Sequence, residues 1–430
     1  MTIVQSGATY AVKKESVALA ALAVRQPTHL TKLMGTAPSQ SGAEAVLKQQ
    51  SNPGLPGIMV RDLAQGPGEA VTIEALDVLG GFPIMGDQMR EGKGTEMNIA
   101  TMDAKINLAS KVVNGGAQMS QKRTKIQLRS AAMAQLMGWF PRLLWQRSMS
   151  HIFGARGEQV DTSWCLPLQS HPDFASMLIN PVLAPTYNRH LVLDSTVGLV
   201  QGGAQLASVD STDGWKLSSV DLISEFLDAA AFKLQPVRIP GDPAANDEPI
   251  KGVLYLDSLA YNQLIQDSTA GNNIRAWQAA AMERASLSGP NRHPLFRGEM
   301  MLWNGILFKK MDHSVFFLPG SSVNIVTSAN KLTATESAVT IPAMSGFRVS
   351  RSVLLGAQAF ACCVGSNKST GIEAAFQERA YDYNSKYEAM GEWMGGETKL
   401  RFKFRNDAGD LEPTDHGIYV IDAVTKDIGN

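Results

Sequence analysis

The stretch from Ala70 to Leu108 constrains the fold most, because it predicts two long paired strands around a glycine-rich turn region. The strands are AVTIEALDVL and EMNIATMDAKINL, and GGFPIMGDQMREGKG separates them. Side chains alternate between the two faces of a strand, so a strand packed on one core keeps its apolar residues in one phase. Along both strands this phase changes. A bulge or a twist, or burial on different faces along the length, accounts for the change, and a long hairpin that lies across neighbouring chains would be buried in this way.

Residues 1–66 predict an extended N-terminal arm rather than a compact domain. Lys14–Val24 can form one short amphipathic helix. Residues that break helices and strands then follow at short intervals: Pro27, Gly35, Pro38, Gly42, Pro53, Gly54, Pro56 and Gly57. A segment that proline and glycine interrupt this often cannot build a core of its own.

The clearest helix follows the hairpin, with Ser120 as its predicted N-cap. Apolar residues that mark one helix face then recur: Ile126, Met133, Met137, Phe140 and Leu144. Pro141 removes a backbone donor, so we expect a kink or a restart there. Glycines at 154 and 157 end the helix.

The rest of the chain predicts a mixture of helices and strands. Residues 155–217 are expected to form loops and short strands. Helices are predicted over 220–233, 258–265 and 274–286, and strands over 250–256, 301–311, 314–318, part of 352–364, 398–405 and 417–424.

Composition favours a chain that associates with others. Lys and Arg number 39 against 40 Asp and Glu, so the chain is not a strongly basic nucleic-acid binder. Charged residues make up 18%, below the roughly 25% of typical globular chains. A subunit that covers much of its surface with neighbours needs fewer charges. With 44% hydrophobic residues, the chain can still form a sizeable core.

The three cysteines do not form a disulfide framework. Cys362 and Cys363 are adjacent in an apolar run and Cys165 stands alone, so we expect buried free thiols in a reducing compartment. No signal peptide or membrane span is apparent in the sequence, and we expect synthesis in the cytoplasm.

The stretch GDQMREGKGT, from Gly86 to Thr95, is the nearest approach to a catalytic motif. It resembles the phosphate-binding loop G-x-x-x-x-G-K-[ST], but five residues separate Gly86 from Gly92, and Gly94 follows Lys93. A helix must directly follow such a loop, whereas a strand is predicted here. We interpret the stretch as a hairpin tip.

No residue pattern points to catalysis or to a metal. The seven histidines show no i, i+3 or i, i+4 spacing, and no G-x-S-x-G motif occurs. Sites assembled from distant residues remain open. The sequence therefore predicts no catalytic residue, metal or cofactor.

Two basic sets stand out. One lies in the first turns of the long helix: Lys122, Arg123, Lys125 and Arg129. The other alternates with apolar residues on one predicted strand: Lys399, Arg401, Lys403 and Arg405. Alternation places the second set on one strand face. That face can be solvated, can block edge pairing, can form ion pairs with another chain, or can meet nucleic-acid phosphates.

The segment from 67 to 157 resembles the major capsid proteins of phages related to coliphage N4. The similarity lies in PGEAVTIEAL, Gly86-Asp87, Glu91-Gly92, GGAQMSQKRTKIQLR, Trp139 and Gly154-Ala155-Arg156-Gly157. The C-terminal half resembles the same family through VLYLDSLAYNQLIQD, NRHPLFRGEMMLWNG, SVLLGAQAFACCVG, Tyr381-Asp382-Tyr383 and HGIYVIDAV. His293 and Met301 depart from the pattern, and residues 1–66 and about 158–245 match poorly.

This resemblance implies an α+β, HK97-like phage capsid fold with an N-terminal arm, an extended β-hairpin loop, a spine helix, and peripheral and axial domains. The expected divisions are the arm (1–66), the hairpin loop (67–114), the spine helix, peripheral domain and variable insertion (115–245), the axial domain (246–350), and C-terminal strands completing both domains (351–430).

The resemblance also implies a function without catalysis. The expected protein assembles into the hexamers and pentamers of an icosahedral head around double-stranded DNA. Its expected partners are its own copies, the portal, and scaffold or decoration proteins, with no membrane. Its expected location is the virion, after assembly in the host bacterial cytoplasm.

Two sets of residues are then candidates for assembly. The hairpin tip offers Gly86, Asp87, Glu91, Gly92 and Lys93, and glycine pairs offer hinges at Gly80, Gly81, Gly115 and Gly116. Two alternatives stay open: an encapsulin-like cellular shell that encloses protein cargo, and a phosphate-binding enzyme.

Overall fold

The computed structural model describes residues 33, 54–60, 69–76, 83–86, 89–92, 94, 99–123, 128–238, 247–266, 274–287, 300–311, 313–365, 374–406 and 409–427. The strands are β1 (Gly57–Val60), β2 (Ala70–Leu76), β3 (Ile99–Lys105), β4 (Asn107–Ala117), β5 (His190–Asp194), β6 (Gly198–Gln201), β7 (Gly252–Leu256), β8 (Met300–Trp303), β9 (Ile306–Lys310), β10 (Val315–Phe317), β11 (Ser322–Val326), β12 (Glu336–Thr340), β13 (Phe347–Leu355), β14 (Phe360–Val364), β15 (Ala374–Tyr381), β16 (Lys386–Lys399), β17 (Arg401–Arg405), β18 (Leu411–Asp415) and β19 (Ile418–Lys426). The helices are α1 (Gln118–Arg123), α2 (Leu128–Phe153), α3 (Phe174–Leu178), α4 (Leu217–Ala229), α5 (Ser258–Gln266) and α6 (Ile274–Leu287).

The larger sheet has eight strands, in the order β6-β5-β19-β13-β7-β9-β8, with β10 beside β13. β13 and β19 run antiparallel from the pair Phe347 and Lys426 to the pair Leu355 and Ile418. Central strands such as β7 are buried at every position, which explains their continuous apolar sequences. Residues of α4 and α5 pack on one face, and the end of α2 packs on the other.

The smaller sheet has five strands and is organised around β16. One edge of β16 pairs with β15 and then β14, the other pairs with β4, and β1 lies parallel to β14. The spine helix α2 packs on this sheet through Leu136 and Phe140, which meet Ala389 and Trp393. The helix therefore joins the two sheets.

The predicted hairpin is confirmed by the pairing of β2 with β3, from Ala70 opposite Lys105 to Leu76 opposite Ile99. Its buried residues keep one phase through β3 to Ile106, whereas Ile99 and Leu108 are exposed. Beyond Ile106 the chain leaves the hairpin as β4 and joins the smaller sheet. This change of sheet accounts for the altered burial around Leu108.

The spine helix differs from its prediction in three respects. Ser120 lies inside α1, which begins at Gln118, so it is not an N-cap. α2 is continuous through Pro141 without a restart. Met137, predicted for the apolar face, is 57% exposed, because Leu136 and Phe140 make the contact with the smaller sheet.

Two predicted strands are divided. Within 398–405, β16 ends at Lys399 and β17 begins at Arg401. The stretch 301–311 forms the β8–β9 hairpin, turning at Asn304 and Gly305, which both have positive φ. Among the described helices, none is both long and apolar enough to cross a membrane.

Candidate assembly site

The β2–β3 hairpin has one buried and one exposed face. Val71, Ile73 and Ala104 face the core, whereas Glu74 and Asp103 are exposed. The Thr72 hydroxyl donates to the Asp103 carboxylate across the strand pair at 2.7 Å. The hairpin thus packs on its own chain through its inner face and presents a polar outer face.

Most of the described part of the hairpin tip is exposed, and only Ile84 among these residues is partly buried. Gly86 and Gly92 have φ of 63° and 77°, so each turns the chain through a conformation that glycine adopts without strain. Glu91 is exposed, as are Met85 and Met89. Asp87 and Lys93 lie outside the described residues, as does the glycine pair Gly80 and Gly81. The next described element is the strand β3. A hairpin requires a strand at this point, whereas a phosphate-binding loop requires a helix.

A second hairpin, β17–β18, packs on the same core as β2–β3. Phe402 and Phe404 of β17 are buried with Val71, Ile73 and Ala104. The alternation predicted for this strand is confirmed here, because Lys403 and Arg405 are exposed on the opposite face. The two hairpins therefore share one apolar cluster and direct their charged faces away from it.

The prediction that Lys399 and Arg401 belong to one exposed basic face is wrong. Lys399 is buried at the end of β16, and its ammonium lies 2.8 Å from the Asp415 carboxylate. The Arg401 guanidinium, nearly buried, donates to the same carboxylate at 2.7 Å and to the Ala184 carbonyl. Both cations therefore hold β16, β17 and β18 together inside the subunit.

Asp415 is the centre of this buried charge cluster. Burial raises the pKa of its carboxyl, but Arg401 and Lys399 outweigh burial and lower the pKa to about 2. The Oδ2 atom of Asp415 also accepts a hydrogen bond from the Thr186 amide at 3.1 Å. Asp415 therefore remains ionised and ties the 184–186 segment to the β17–β18 hairpin.

A buried ion pair joins the spine helix to the smaller sheet. Arg147 of α2 and Glu397 of β16 are both fully buried, with 3.1 Å between Nε and the carboxylate. The Arg147 guanidinium also lies 5.5 Å from the centre of the Trp393 ring. Burial raises the pKa of Glu397, and Arg147 opposes that effect.

A second buried arginine joins the end of the spine helix to the larger sheet. Arg351 of β13 donates two hydrogen bonds to Asp422 of β19, at 2.8 and 2.7 Å, and one to the Phe153 carbonyl at 3.1 Å. His190 of β5 lies 2.7 Å from the same carboxylate. The sequence analysis did not predict these groups. Arg351 in FRVSRSVLL and Asp422 in IYVIDAVTK are charges within apolar strands, and such charges indicate a buried ion pair.

Gly115 and Gly116, proposed as hinges, lie within β4 and are buried. A Cβ atom at Gly115 would overlap the ring of Tyr387 on β16. Gly116 has φ of 82°, and the strand register shifts at Tyr387 and Glu388 opposite it. The structure thus supplies a packing reason for glycine here, and a hinge role stays a prediction.

The first basic set begins in α1. Lys122 is exposed and Arg123 is partly buried. Lys125, and the side chain of Arg129, lie outside what the structure describes. Their contact with DNA or with a neighbour therefore stays a prediction.

The described residues contain no cluster of His, Cys, Asp or Glu suited to hold a metal ion. His190 and Asp422 resemble a catalytic pair, but both are fully buried, and Arg351 already holds the carboxylate. Cys362 and Cys363 are buried and are not joined in a disulfide bond, as predicted.

Two sheets joined by a long helix, with two hairpins packed on one shared apolar cluster, define a fold of the α+β class. The chain matches the family described as Phage capsid protein over residues 3–427 and belongs to that family. This is a family of structural capsid proteins and not an enzyme family.

Solved phage capsids share the fold. The capsid of Ralstonia phage GP4 is 21% identical with a TM-score of 0.71, covering 100% of both chains. The capsid of cyanophage Pam1 is 16% identical with a TM-score of 0.58, covering 96% of this chain and 100% of that one. Helicobacter pylori bacteriophage KHP30 gives 10% identity and a TM-score of 0.53, covering 87% and 89%. The fold is thus the HK97-like phage capsid fold; no curated protein matches significantly.

Proposed function

We propose that this phage capsid protein is the major head subunit, which assembles into hexamers and pentamers of an icosahedral shell around double-stranded DNA. The family match over residues 3–427 is the observation that carries the proposal. Its location is then the virion, after assembly in the host bacterial cytoplasm.

The exposed hairpin supports this proposal physically. Its inner face is held by a core of its own chain, so its outer face and its open tip are free to contact another subunit. Each contact can be weak, because every subunit makes many of them and the lattice adds their effects. We assign the tip residues Gly86, Asp87, Glu91, Gly92 and Lys93 to this contact.

The two sheets support the proposed domain division in part. We assign the smaller sheet and α2 to the peripheral domain, and β7 to β10 of the larger sheet to the axial domain (246–350). β5, β6 and α4 lie within 115–245 but form or cover part of the larger sheet, so they depart from that division. Strands after 350 enter both sheets, which supports a C-terminal segment that completes both domains. The arm (1–66) and the variable stretch within 115–245 complete the proposed layout.

The proposed partners are further copies of the chain, the portal, scaffold or decoration proteins, and packaged DNA bound without sequence preference. The sequence features shared with phages related to coliphage N4 support a position in that group. Lys122, Arg123, Lys125 and Arg129 are the residues we assign to DNA or to a neighbouring subunit.

Negative-stain electron microscopy of the protein expressed alone tests the function. Shells, tubes or hexamer sheets are the expected result. Subunits that stay monomeric even after scaffold and portal are added would contradict it.

The nucleic-acid content of purified particles tests the encapsulin-like alternative. We expect particles from infected cells to contain phage DNA. Particles that hold only protein cargo would favour the alternative instead.

A further inference from the structure

The two hairpins that share one core carry opposite charges on their outer faces. On β2–β3 the outer face exposes two carboxylates, Glu74 and Asp103, beside the hydroxyls of Thr72 and Thr101, and one cation, Lys105, at the end of β3, so its net charge is negative. On β17–β18 the outer face exposes Lys403 and Arg405. Since both inner faces enter one apolar cluster, the two charged faces point away from each other and cannot neutralise one another within one subunit.

Four of these charged residues have no ionic partner among the residues that the structure describes: Glu74, Asp103, Lys403 and Arg405. The ion pairs found there involve other groups, such as Lys399 with Asp415 and Arg351 with Asp422. The only polar contact described for the acidic face is the hydrogen bond from Thr72 to Asp103.

The spacing of the two sets also matches. Lys403 and Arg405 are two residues apart on one strand, which places them about 7 Å apart. Glu74 faces Thr101, two residues from Asp103, so the carboxylates form a diagonal cross-strand pair with about 7–8 Å between their positions. Each cation can therefore meet one carboxylate at the same time.

We propose that the acidic face of the β2–β3 hairpin in one copy docks on the basic face of the β17–β18 hairpin in the next copy. A contact between two different surfaces of identical chains is head-to-tail, and repeated copies then close a ring or extend a lattice. This inference rests on the proposed function and adds to it the two surfaces that meet. Leu411, 46% exposed and opposite Arg405, supplies an apolar contact beside the ion pairs.

Charge reversal tests this pairing. One variant carries Glu74→Lys and Asp103→Lys, a second carries Lys403→Glu and Arg405→Glu, and a third carries all four changes. The first two should lower the yield of particles roughly tenfold or more, because like charges then meet in every contact. The third should recover most of that loss, since the pairs are restored in reverse order.

Folding and general charge effects are controlled separately. All four residues are exposed, so each variant should keep the secondary structure and thermal unfolding of the parent subunit. Reversal of exposed charges elsewhere, Glu283→Lys with Lys331→Glu, should leave the particle yield unchanged.

Two results would overturn the pairing: normal yields from both two-residue variants, or a four-residue variant that assembles no better than they do. Normal particles with reduced DNA content from the Lys403→Glu, Arg405→Glu variant would instead assign the basic face to DNA.

Disulfide crosslinking detects the contact between two subunits even when complete shells do not form. Separately tagged chains carrying Asp103→Cys and Lys403→Cys should form a mixed disulfide dimer on mild oxidation. The parent chain and a Lys331→Cys chain provide the background. Failure of this crosslinking, with shells formed normally by the parent, would reject this contact while the proposed function stands. Absence of any association by the parent, even with scaffold and portal, would reject the proposed function itself.

Discussion

Arg351 and Asp422 form a fully buried, two-pronged ion pair across the centre of the larger sheet. The remaining guanidinium nitrogen of Arg351 reaches the carbonyl of Phe153 at 3.1 Å, where the spine helix ends. Burial alone would raise the pKa of Asp422, but Arg351 and His190 lower it well below its ordinary value. This pair therefore sets the position of the helix on the sheet through one ionised carboxylate.

Replacing Asp422 with Asn should destabilise the subunit by about 3–5 kcal/mol, because Arg351 then keeps a buried charge without its counterion. Denaturant unfolding of the unassembled subunit measures this change. Asp228→Asn is the matched control, since Asp228 forms an exposed ion pair with Lys251 and should cost less than about 1 kcal/mol. Equal losses from both variants would contradict the structural role of Asp422.

His151 should make the subunit less stable in mild acid. Burial, with help from Arg147, lowers the pKa of this histidine from 6.5 to about 3. The unfolded chain therefore binds a proton between pH 6.5 and 3 that the folded chain does not, so stability falls as the pH falls through this range. Denaturant midpoints measured across it should show a flatter slope for His151→Leu than for the parent. An unchanged slope would show that His151 is not responsible.

Gly115→Ala should cost roughly 1–3 kcal/mol, because its Cβ would overlap the Tyr387 ring in the neighbouring strand. Gly94→Ala is the control: no atom lies within 4 Å of the added Cβ. The double variant Gly115→Ala, Tyr387→Ala should lose less stability than the sum of its single changes. Additive losses would argue against this contact as the cause.

Phe402→Ala should loosen both hairpins together. Phe402 is buried in the cluster that holds β2, β3 and β17, so its truncation should cost about 3–5 kcal/mol. Hydrogen exchange should then accelerate in β3 as well as in β17. Leu411→Ala, at a 46% exposed position on the outer face, should change stability by less than about 0.5 kcal/mol. If hydrogen exchange in β3 is as slow in the Phe402→Ala variant as in the parent, the two hairpins do not share a core.

Local patterns in the sequence predicted the elements that depend on their own residues. The hairpin around the glycine-rich tip, the helices after Ser258 and Ile274, and the alternation of Phe402 and Phe404 with exposed cations all follow from periodicity and turn residues. The Asn304-Gly305 turn carried a hairpin signal that the strand prediction overlooked.

The buried charges could not be predicted in the same way, because burial depends on segments that are distant in the chain. Lys399 has the same alternating neighbours as Lys403, yet one is enclosed beside Asp415 and the other is exposed. An interruption at Leu400 ends β16 between them, and the 184–186 segment contributes to the cluster around Asp415.

The sequence by itself determined the order of hairpin, spine helix and strands, and through its motifs the capsid family, because these features depend on neighbours a few residues apart. Tertiary structure alone decided which charges are buried in ion pairs and which are exposed. The physical reason is that desolvation and ion pairing depend on three-dimensional distance, which brings Arg351 to Asp422 and keeps Glu74 from Lys403.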